Sequence, residues 1–179
     1  MEIEKLITDK KILSIYQKYQ NTMPFQVVEF ANEIGVDVYT DTLPSNISGK
    51  IEKKDDKFIC YVNKKNAVNR QVFTIAHELG HYFIHQKYFE TNNIIEEKEE
   101  KTLYNTFQKD QPQDYSAEQK KMEKEANEFA AELLMPERIV KEKWQEYKSV
   151  NKMAKYFGVS EIAMSIRAGN VIEDIRFMV

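Results

Sequence analysis

The sequence predicts an α+β fold, with helices at both ends of the chain and strands between them. Apolar residues recur at helical spacing over residues 2–20 and again over residues 24–34. Residues 36–62 instead form short alternating runs separated by turns, as strands do. A chain of 179 residues can form one compact domain, or one domain with a small appendage.

The N-terminal half is predicted to pass from two helices into a set of strands. Pro24 can begin the second helix, because its missing N–H costs nothing in the first turn, and Gly35 is placed to end that helix. The predicted strands and the hairpin turn that joins the last two of them are residues 36–39, 47–53 and 57–62, with the turn at 54–56.

A polar and acidic segment, residues 90–113, follows the central part of the chain. It has no strong periodic pattern, and we interpret it as an irregular surface insertion. Ser116 and Gln119 then have the spacing of a capping box, which predicts a helix running to about Met135.

The remainder of the chain is predicted to be helical. One helix begins at Pro136, and residues 149–170 form two short helices that resemble a helix-turn-helix, although Arg167 stands where that motif usually packs an apolar residue. We therefore predict a main domain over residues 1–136 and a C-terminal helical, helix-turn-helix-like subdomain over residues 137–179.

Composition and charge exclude several classes of protein. The formal net charge of −3 gives no electrostatic reason to expect nucleic-acid binding, and residues 137–179 carry an excess of only two basic residues. No apolar run approaches the roughly 20 residues of a membrane span, and the N-terminus does not look like a signal peptide. Cys60 is the single cysteine, which rules out an intrachain disulfide and favours the cytoplasm. We expect Cys60 to be a small buried side chain.

All three histidines lie within nine residues, at His77, His81 and His85. The first two belong to an H-E-x-x-H motif. On a helix, residues four apart share a face, so His77 and His81 can hold one metal ion while Glu78 reaches a water molecule beside it. Glu78 is also the only acid in residues 73–85, where an unpaired carboxylate would cost free energy, so we expect it to have a chemical role.

A catalytic zinc ion usually has three protein ligands, so a third must be found. His85 lies two turns, about 12 Å, from His77 along the helix axis, which is too far for one ion. We therefore expect His85 to support the ligands or to donate a hydrogen bond to an oxyanion.

The helix predicted after Ser116 is the best source of a carboxylate ligand. Glu123 and Glu125 border its apolar stripe on opposite sides, whereas Glu128 lies almost opposite the stripe. Helical geometry favours the first two and does not choose between them.

Two blocks of the sequence, residues 70–85 and 125–136, resemble the ImmA/IrrE family of metallo-endopeptidases in content and order. The resemblance covers roughly residues 24–170. It implies a zincin-like fold, in which a small, twisted, mostly antiparallel sheet packs on the H-E-x-x-H helix. It also implies that Glu125 is the third zinc ligand and that the substrate is a repressor- or antitoxin-like protein of bacteria or their mobile elements.

The resulting hypothesis is a zinc-dependent endopeptidase of narrow specificity. His77, His81 and Glu125 would bind Zn²⁺ with water in the fourth position, and Glu78 would act as general base. The candidates for a second oxyanion donor are His85, Tyr82, Tyr88, Tyr104 and Tyr115.

Two other functions compete with this hypothesis. The first is a zinc-stabilised module that captures a repressor without cleaving it, which the presence of Glu78 disfavours. The second is a DNA-binding regulator that uses the C-terminal helices, which the small basic excess of residues 137–179 disfavours.

Overall fold

The computed structural model describes residues 1–90, 92, 94–98 and 116–172. Within these ranges the helices are α1 (Ile3–Leu6), α2 (Lys10–Tyr19), α3 (Val27–Glu33), α4 (Val68–Ile84), α5 (Ala117–Leu134), α6 (Glu137–Tyr147), α7 (Val150–Phe157) and α8 (Glu161–Val171). The strands are β1 (Val36–Asp41), β2 (Ile47–Lys54), β3 (Lys57–Asn63) and β4 (Ile94–Lys98), and a short 3-10 helix, Gln86–Glu90, follows α4. The predicted α+β class is confirmed.

The strands form one sheet in the order β1-β3-β2-β4. Strand β2 is antiparallel to both β3 and β4, whereas β1 is parallel to β3, so the predicted mostly antiparallel sheet is confirmed. The hairpin turn between β2 and β3 contains Asp55 and Asp56, both with positive φ.

Strand β4 corrects the prediction of an irregular insertion. Residues 94–98 pair with β2 at the edge of the sheet, and Ile95 is buried opposite Ile51. In residues 94–98 two adjacent isoleucines are followed by charged residues. Apolar and polar residues therefore do not alternate, and the sequence does not show the two-residue period of a strand. Residues 99–115 lie outside the described residues.

The N-terminal helices differ from the prediction at one point. Helix α3 begins at Val27 rather than at Pro24, and Pro24 follows a cis peptide bond. Gly35 ends α3 with a φ of +88°, a conformation that glycine adopts without steric cost, and this prediction is confirmed.

Helix α4 packs against β2 at very short range. Gly49 of β2 makes this approach feasible, because a Cβ there would collide with the Thr74 methyl group and lie 2.9 Å from the Tyr61 carbonyl oxygen. Every residue of α4 from Phe73 to His81 is buried, as the uncharged flanks of the histidine motif indicate.

Helix α5 crosses α4 just as closely, at Gly80. A Cβ on Gly80 would lie 2.9 Å from the Ala126 Cα and 3.0 Å from the Ala126 oxygen. The predicted capping box is present at the start of α5, where Ser116 accepts from the Gln119 N–H and the Gln119 side chain accepts from the Ser116 N–H. The contact at Gly80 fixes which face of α5 is turned toward the histidines.

The C-terminal helices α6, α7 and α8 pack into the same hydrophobic core as the rest of the protein. The predicted break between α7 and α8 is confirmed at Gly158, whose φ is +66°. Arg167 of α8 is only 13% exposed, forms an ion pair with Glu132 of α5 and donates from Nε to the Met135 oxygen at 2.9 Å. A polar contact therefore takes the place of the apolar packing expected in a helix-turn-helix, and the division at residue 136 stays a prediction.

Two further sequence-based expectations concern burial and hydropathy. Cys60 of β3 is fully buried, as predicted. In the part of the chain that the structure describes, no helix is long and apolar enough to span a bilayer.

Candidate metal centre

His77 and His81 lie one turn apart on α4, and both side chains are almost completely buried. Their Nε2 atoms are 3.0 Å apart. Glu123 reaches them from α5, with Oε2 at 3.2 Å from His77 Nε2 and Oε1 at 3.5 Å from His81 Nε2. Two imidazoles and one carboxylate thus face a common point, and among the described residues they form a group able to hold a metal ion.

The protonation of His77 follows from a hydrogen bond, and that of His81 follows from its burial. His77 Nδ1 is 3.0 Å from Asn127 Oδ1, and because an amide oxygen only accepts, Nδ1 carries the hydrogen and Nε2 is left with a lone pair. Burial, together with the neighbouring His77 and His85, holds the pKa of His81 well below its usual value, so this ring is neutral.

This donor set fits a zinc-sized cation. Neutral imidazole nitrogens and a carboxylate are ligands that zinc prefers, and four ligands at its usual bond lengths lie about 3.3 Å apart. The separations among His77, His81 and Glu123 are 3.0, 3.2 and 3.5 Å.

Glu125, implied by the family resemblance as the third ligand, lies elsewhere. Its Oε2 is 3.1 Å from His85 Nε2, and its Oε1 is 3.8 Å from the Lys121 ammonium group. The packing of Gly80 on Ala126 turns the Glu123 side of α5 toward the two buried histidines. Of the two glutamates that helical geometry left open, the structure brings Glu123 and not Glu125 to His77 and His81.

Two other residues considered in the sequence are also placed. Glu128 lies on the outer side of α5, 54% exposed and 3.8 Å from Lys124, as its position opposite the apolar stripe predicts. His85 is the C-terminal cap residue of α4, and its ring nitrogens contact His81 and Glu125. With both nitrogens directed at protein groups, the ring is oriented to support a ligand rather than to face an oxyanion.

Glu78 is fully buried between α4 and β2. Its Oε1 lies 3.4 Å from the position that a Cβ on Gly49 would occupy, so the carboxylate faces β2 at ordinary contact distance. At 100° per residue, Glu78 is offset by about 60° from His81 around the helix, which keeps it on the side of α4 that carries the two histidines.

A pocket of about 220 Å³ adjoins Glu123 at the edge of the sheet. It is lined by residues of the 3-10 helix, β4 and α5, namely Tyr88, Ile94, Ile95, Glu96, Gln119, Met122 and Glu123. Of the candidate oxyanion donors, Tyr88 lines this pocket. The Tyr82 ring instead packs edge-on against Phe58 at 4.9 Å, and burial raises the pKa of its hydroxyl. Tyr104 and Tyr115 lie outside the described residues.

Asn127 is the site residue that sequence reasoning missed. It lies one turn after Glu123, so both side chains project from the same face of α5 and contact opposite edges of the His77 ring. The signal available in the sequence was the position of Asn127, whose amide lies four residues after the candidate ligand Glu123 on the same predicted helix.

An H-E-x-x-H helix packed on a small sheet, with a carboxylate supplied by a second helix, is typical of metallopeptidases. Residues 31–168 match the family model of Peptidase_M78, the IrrE N-terminal-like domain. The match spans more than half of the chain, and the chain belongs to this family. The resemblance inferred from the two sequence blocks is thereby confirmed.

Two relatives illustrate the likeness. Metallopeptidase ImmA of Bacillus subtilis (strain 168) is 25% identical over 122 residues, which are 67% of this chain and 60% of that protein. A transcriptional regulator of Mycobacterium tuberculosis has a similar fold, with a TM-score of 0.57 and 17% identity over 93% of this chain and 48% of that one. The chain therefore matches less than two thirds of the length of either relative.

Proposed function

We propose that this chain is a zinc-dependent endopeptidase in which His77, His81 and Glu123 hold the ion and Glu78 is the general base. The observation that carries the proposal is the convergence of three buried or partly buried acceptor groups on one point. Membership in the Peptidase_M78 family and the partial likeness to ImmA support peptidase chemistry.

The chain's own residues supply positioning and proton transfer. When bound, the cation would polarise a peptide carbonyl and lower the pKa of a water molecule toward 7. Glu78 would take a proton from the attacking water on a carboxylate oxygen and then donate it to the leaving amine nitrogen. Since Glu78 shares α4 with His77 and His81, one rigid helix holds the base and two ligands in fixed relative positions.

The pocket beside Glu123 is the proposed binding region for a substrate side chain. Its volume of about 220 Å³ is small compared with typical ligand pockets, so it can hold a single side chain rather than a large group. We propose that Tyr88, which lines this pocket, donates a hydrogen bond to a substrate carbonyl oxygen.

The substrate that we propose is a repressor- or antitoxin-like regulatory protein. The support is the family resemblance, since the pocket limits the size of a bound side chain and does not identify the substrate. We also propose that the protein acts in the cytoplasm, in keeping with its single buried cysteine.

A direct role in DNA binding is less well supported, although one relative of similar fold is named a transcriptional regulator. The charged residues of α8 are Glu161 and Arg167, and Arg167 is paired with Glu132. A helix with so little free positive charge neutralises few phosphates. Helix α8 is therefore better suited to packing than to contact with DNA.

A proteome-derived peptide mixture tests the peptidase proposal. The zinc-loaded protein should generate new peptide termini within a defined sequence context, which mass spectrometry detects, and a chelator should abolish them. Glu78→Gln should bind zinc with unchanged affinity and generate none. Cleavage by Glu78→Gln at the wild-type rate would refute the general-base role, and tight zinc binding without any cleavage would favour the capture module.

A further inference from the structure

A chain of polar groups extends away from the metal centre on the side of His81. His81 Nδ1 is 3.0 Å from His85 Nδ1, and His85 Nε2 is 3.1 Å from Glu125 Oε2. His85 is 8% exposed, and the Glu125 side chain is 33% exposed beside Lys121. The three side chains therefore connect a buried candidate ligand to a carboxylate near the surface.

The hydrogen atoms in this chain can be assigned in order. An ionised carboxylate only accepts, so His85 Nε2 carries a hydrogen and donates it to Glu125. A His85 ring whose single hydrogen is on Nε2 accepts at Nδ1, and His81 Nδ1 then donates to it. His81 Nε2 is consequently left with a lone pair, and this is the atom that faces His77 and Glu123.

We infer that His85 and Glu125 are positioning residues, which fix the tautomer and the ring orientation of His81 so that Nε2 can bind the metal. The inference rests on the proposed function, since it assumes that His81 is a ligand. For Glu125 it proposes a role other than that of a ligand, and of the two roles expected for His85 it proposes support of a ligand, because Glu125 acts through His85 and His85 acts through His81.

The two histidine ligands are supported in different ways. His77 donates to the amide oxygen of Asn127, which is neutral, whereas the chain from His81 ends on the charge of Glu125. Charge-assisted hydrogen bonds are stronger than neutral ones, and groups that orient metal-bound histidines typically change metal affinity by about 10–100-fold when they are removed. The His81 side of the site therefore depends on the Glu125–His85 pair.

Local geometry explains why His85 can reach His81. His85 lies four residues after His81, one turn further along, and its own N–H donates to the His81 carbonyl oxygen at 2.9 Å. Because His85 is the cap residue and leaves the helical backbone conformation, its ring can turn back over the last turn of α4.

The test measures the zinc affinity of the 179-residue chain by competition with a chromophoric chelator, and records the visible spectrum after loading with Co²⁺. His85→Ala should weaken zinc binding about 10–100-fold and alter the cobalt bands, because His81 loses the acceptor that orients it. Asn at position 85 places an amide oxygen near the Nδ1 position of His85. His85→Asn should therefore recover most of the affinity, a rescue that a merely structural role would not produce.

Glu125→Gln and Glu128→Gln form a matched pair on α5. Glu125→Gln removes the negative charge at the outer end of the hydrogen-bonded series His81–His85–Glu125. It should lower zinc affinity by several-fold, up to about 10-fold. Glu128→Gln, at an exposed position away from the two histidines, should leave both measurements unchanged.

Wild-type zinc affinity together with a wild-type cobalt spectrum in His85→Ala would overturn the inference and leave the peptidase proposal standing. Equal affinity in His85→Ala and His85→Asn, with both reduced, would also overturn it, since the acceptor would then be irrelevant. Failure of the wild-type protein to bind zinc would refute the proposed function and the inference together.

Discussion

The close contact between α4 and α5 predicts a specific effect of Gly80→Ala on both stability and metal binding. The new Cβ would lie 2.9 Å from the Ala126 Cα and 3.0 Å from the Ala126 oxygen. Ordinary contacts between such atoms are about 3.5–4.0 Å, so the helices must separate by roughly 0.5–1 Å. Overpacking of this kind costs about 1–3 kcal/mol, and the better helix propensity of alanine offsets about 1 kcal/mol.

The same displacement should damage the metal centre. Ala126 lies one turn after Glu123, so a shift of α5 moves the Glu123 carboxylate relative to His77 and His81. Metal–ligand distances tolerate only about 0.2 Å, and we expect zinc affinity to fall at least about 10-fold.

Two assays and a matched glycine separate these effects. Urea unfolding in the presence of chelator gives the stability of the metal-free protein, and chelator competition gives the zinc affinity. Gly169→Ala in α8 is the control, because a Cβ there meets no atom within 4 Å. It should stabilise the protein by up to about 1 kcal/mol and leave zinc binding unchanged. If Gly80→Ala behaved like Gly169→Ala in both assays, the close packing that positions Glu123 would be refuted.

Three further predictions concern the buried polar groups and the sheet. Arg167→Met should lower the free energy of unfolding by about 3 kcal/mol, because it leaves Glu132, whose side chain is only 15% exposed, without its cation. Glu132→Gln in the same chain should recover part of that loss in urea unfolding. Gly49→Ala should destabilise the protein by at least about 1–3 kcal/mol in the same assay, since β2 must move away from Thr74; unchanged stability would contradict the observed contact. Glu78→Gln should abolish peptide cleavage while zinc affinity stays at the wild-type value, and parallel loss of both would instead assign Glu78 to metal binding.

Much of the fold could be predicted because its local signals are strong. The apolar periodicity around the histidine motif, the capping box at Ser116 and the glycine at position 35 each determine local structure by themselves. Strand β4 could not be predicted in this way, because its two adjacent isoleucines followed by charged residues lack a clear alternation.

The third metal ligand could not be predicted from the sequence. Glu123 and Glu125 border the same apolar stripe, and the choice between them depends on how α5 is rotated against α4. That rotation is set by the contact of Gly80 with Ala126, two residues that are 46 positions apart in the sequence. Periodicity within one helix contains no information about such a contact. The family resemblance implied that Glu125 is the third ligand, but in the structure the Glu125 carboxylate contacts His85.

The most direct test of the metal centre compares zinc binding by Glu123→Gln and Glu125→Gln. Loss of a ligand should reduce affinity by more than the roughly 100-fold limit typical of supporting residues, so Glu123→Gln should purify with little zinc. Glu125→Gln should keep one zinc ion per chain with an affinity reduced by at most about 10-fold. Wild-type zinc affinity in Glu123→Gln, or a greater loss in Glu125→Gln than in Glu123→Gln, would contradict the assignment of His77, His81 and Glu123 as the ligands.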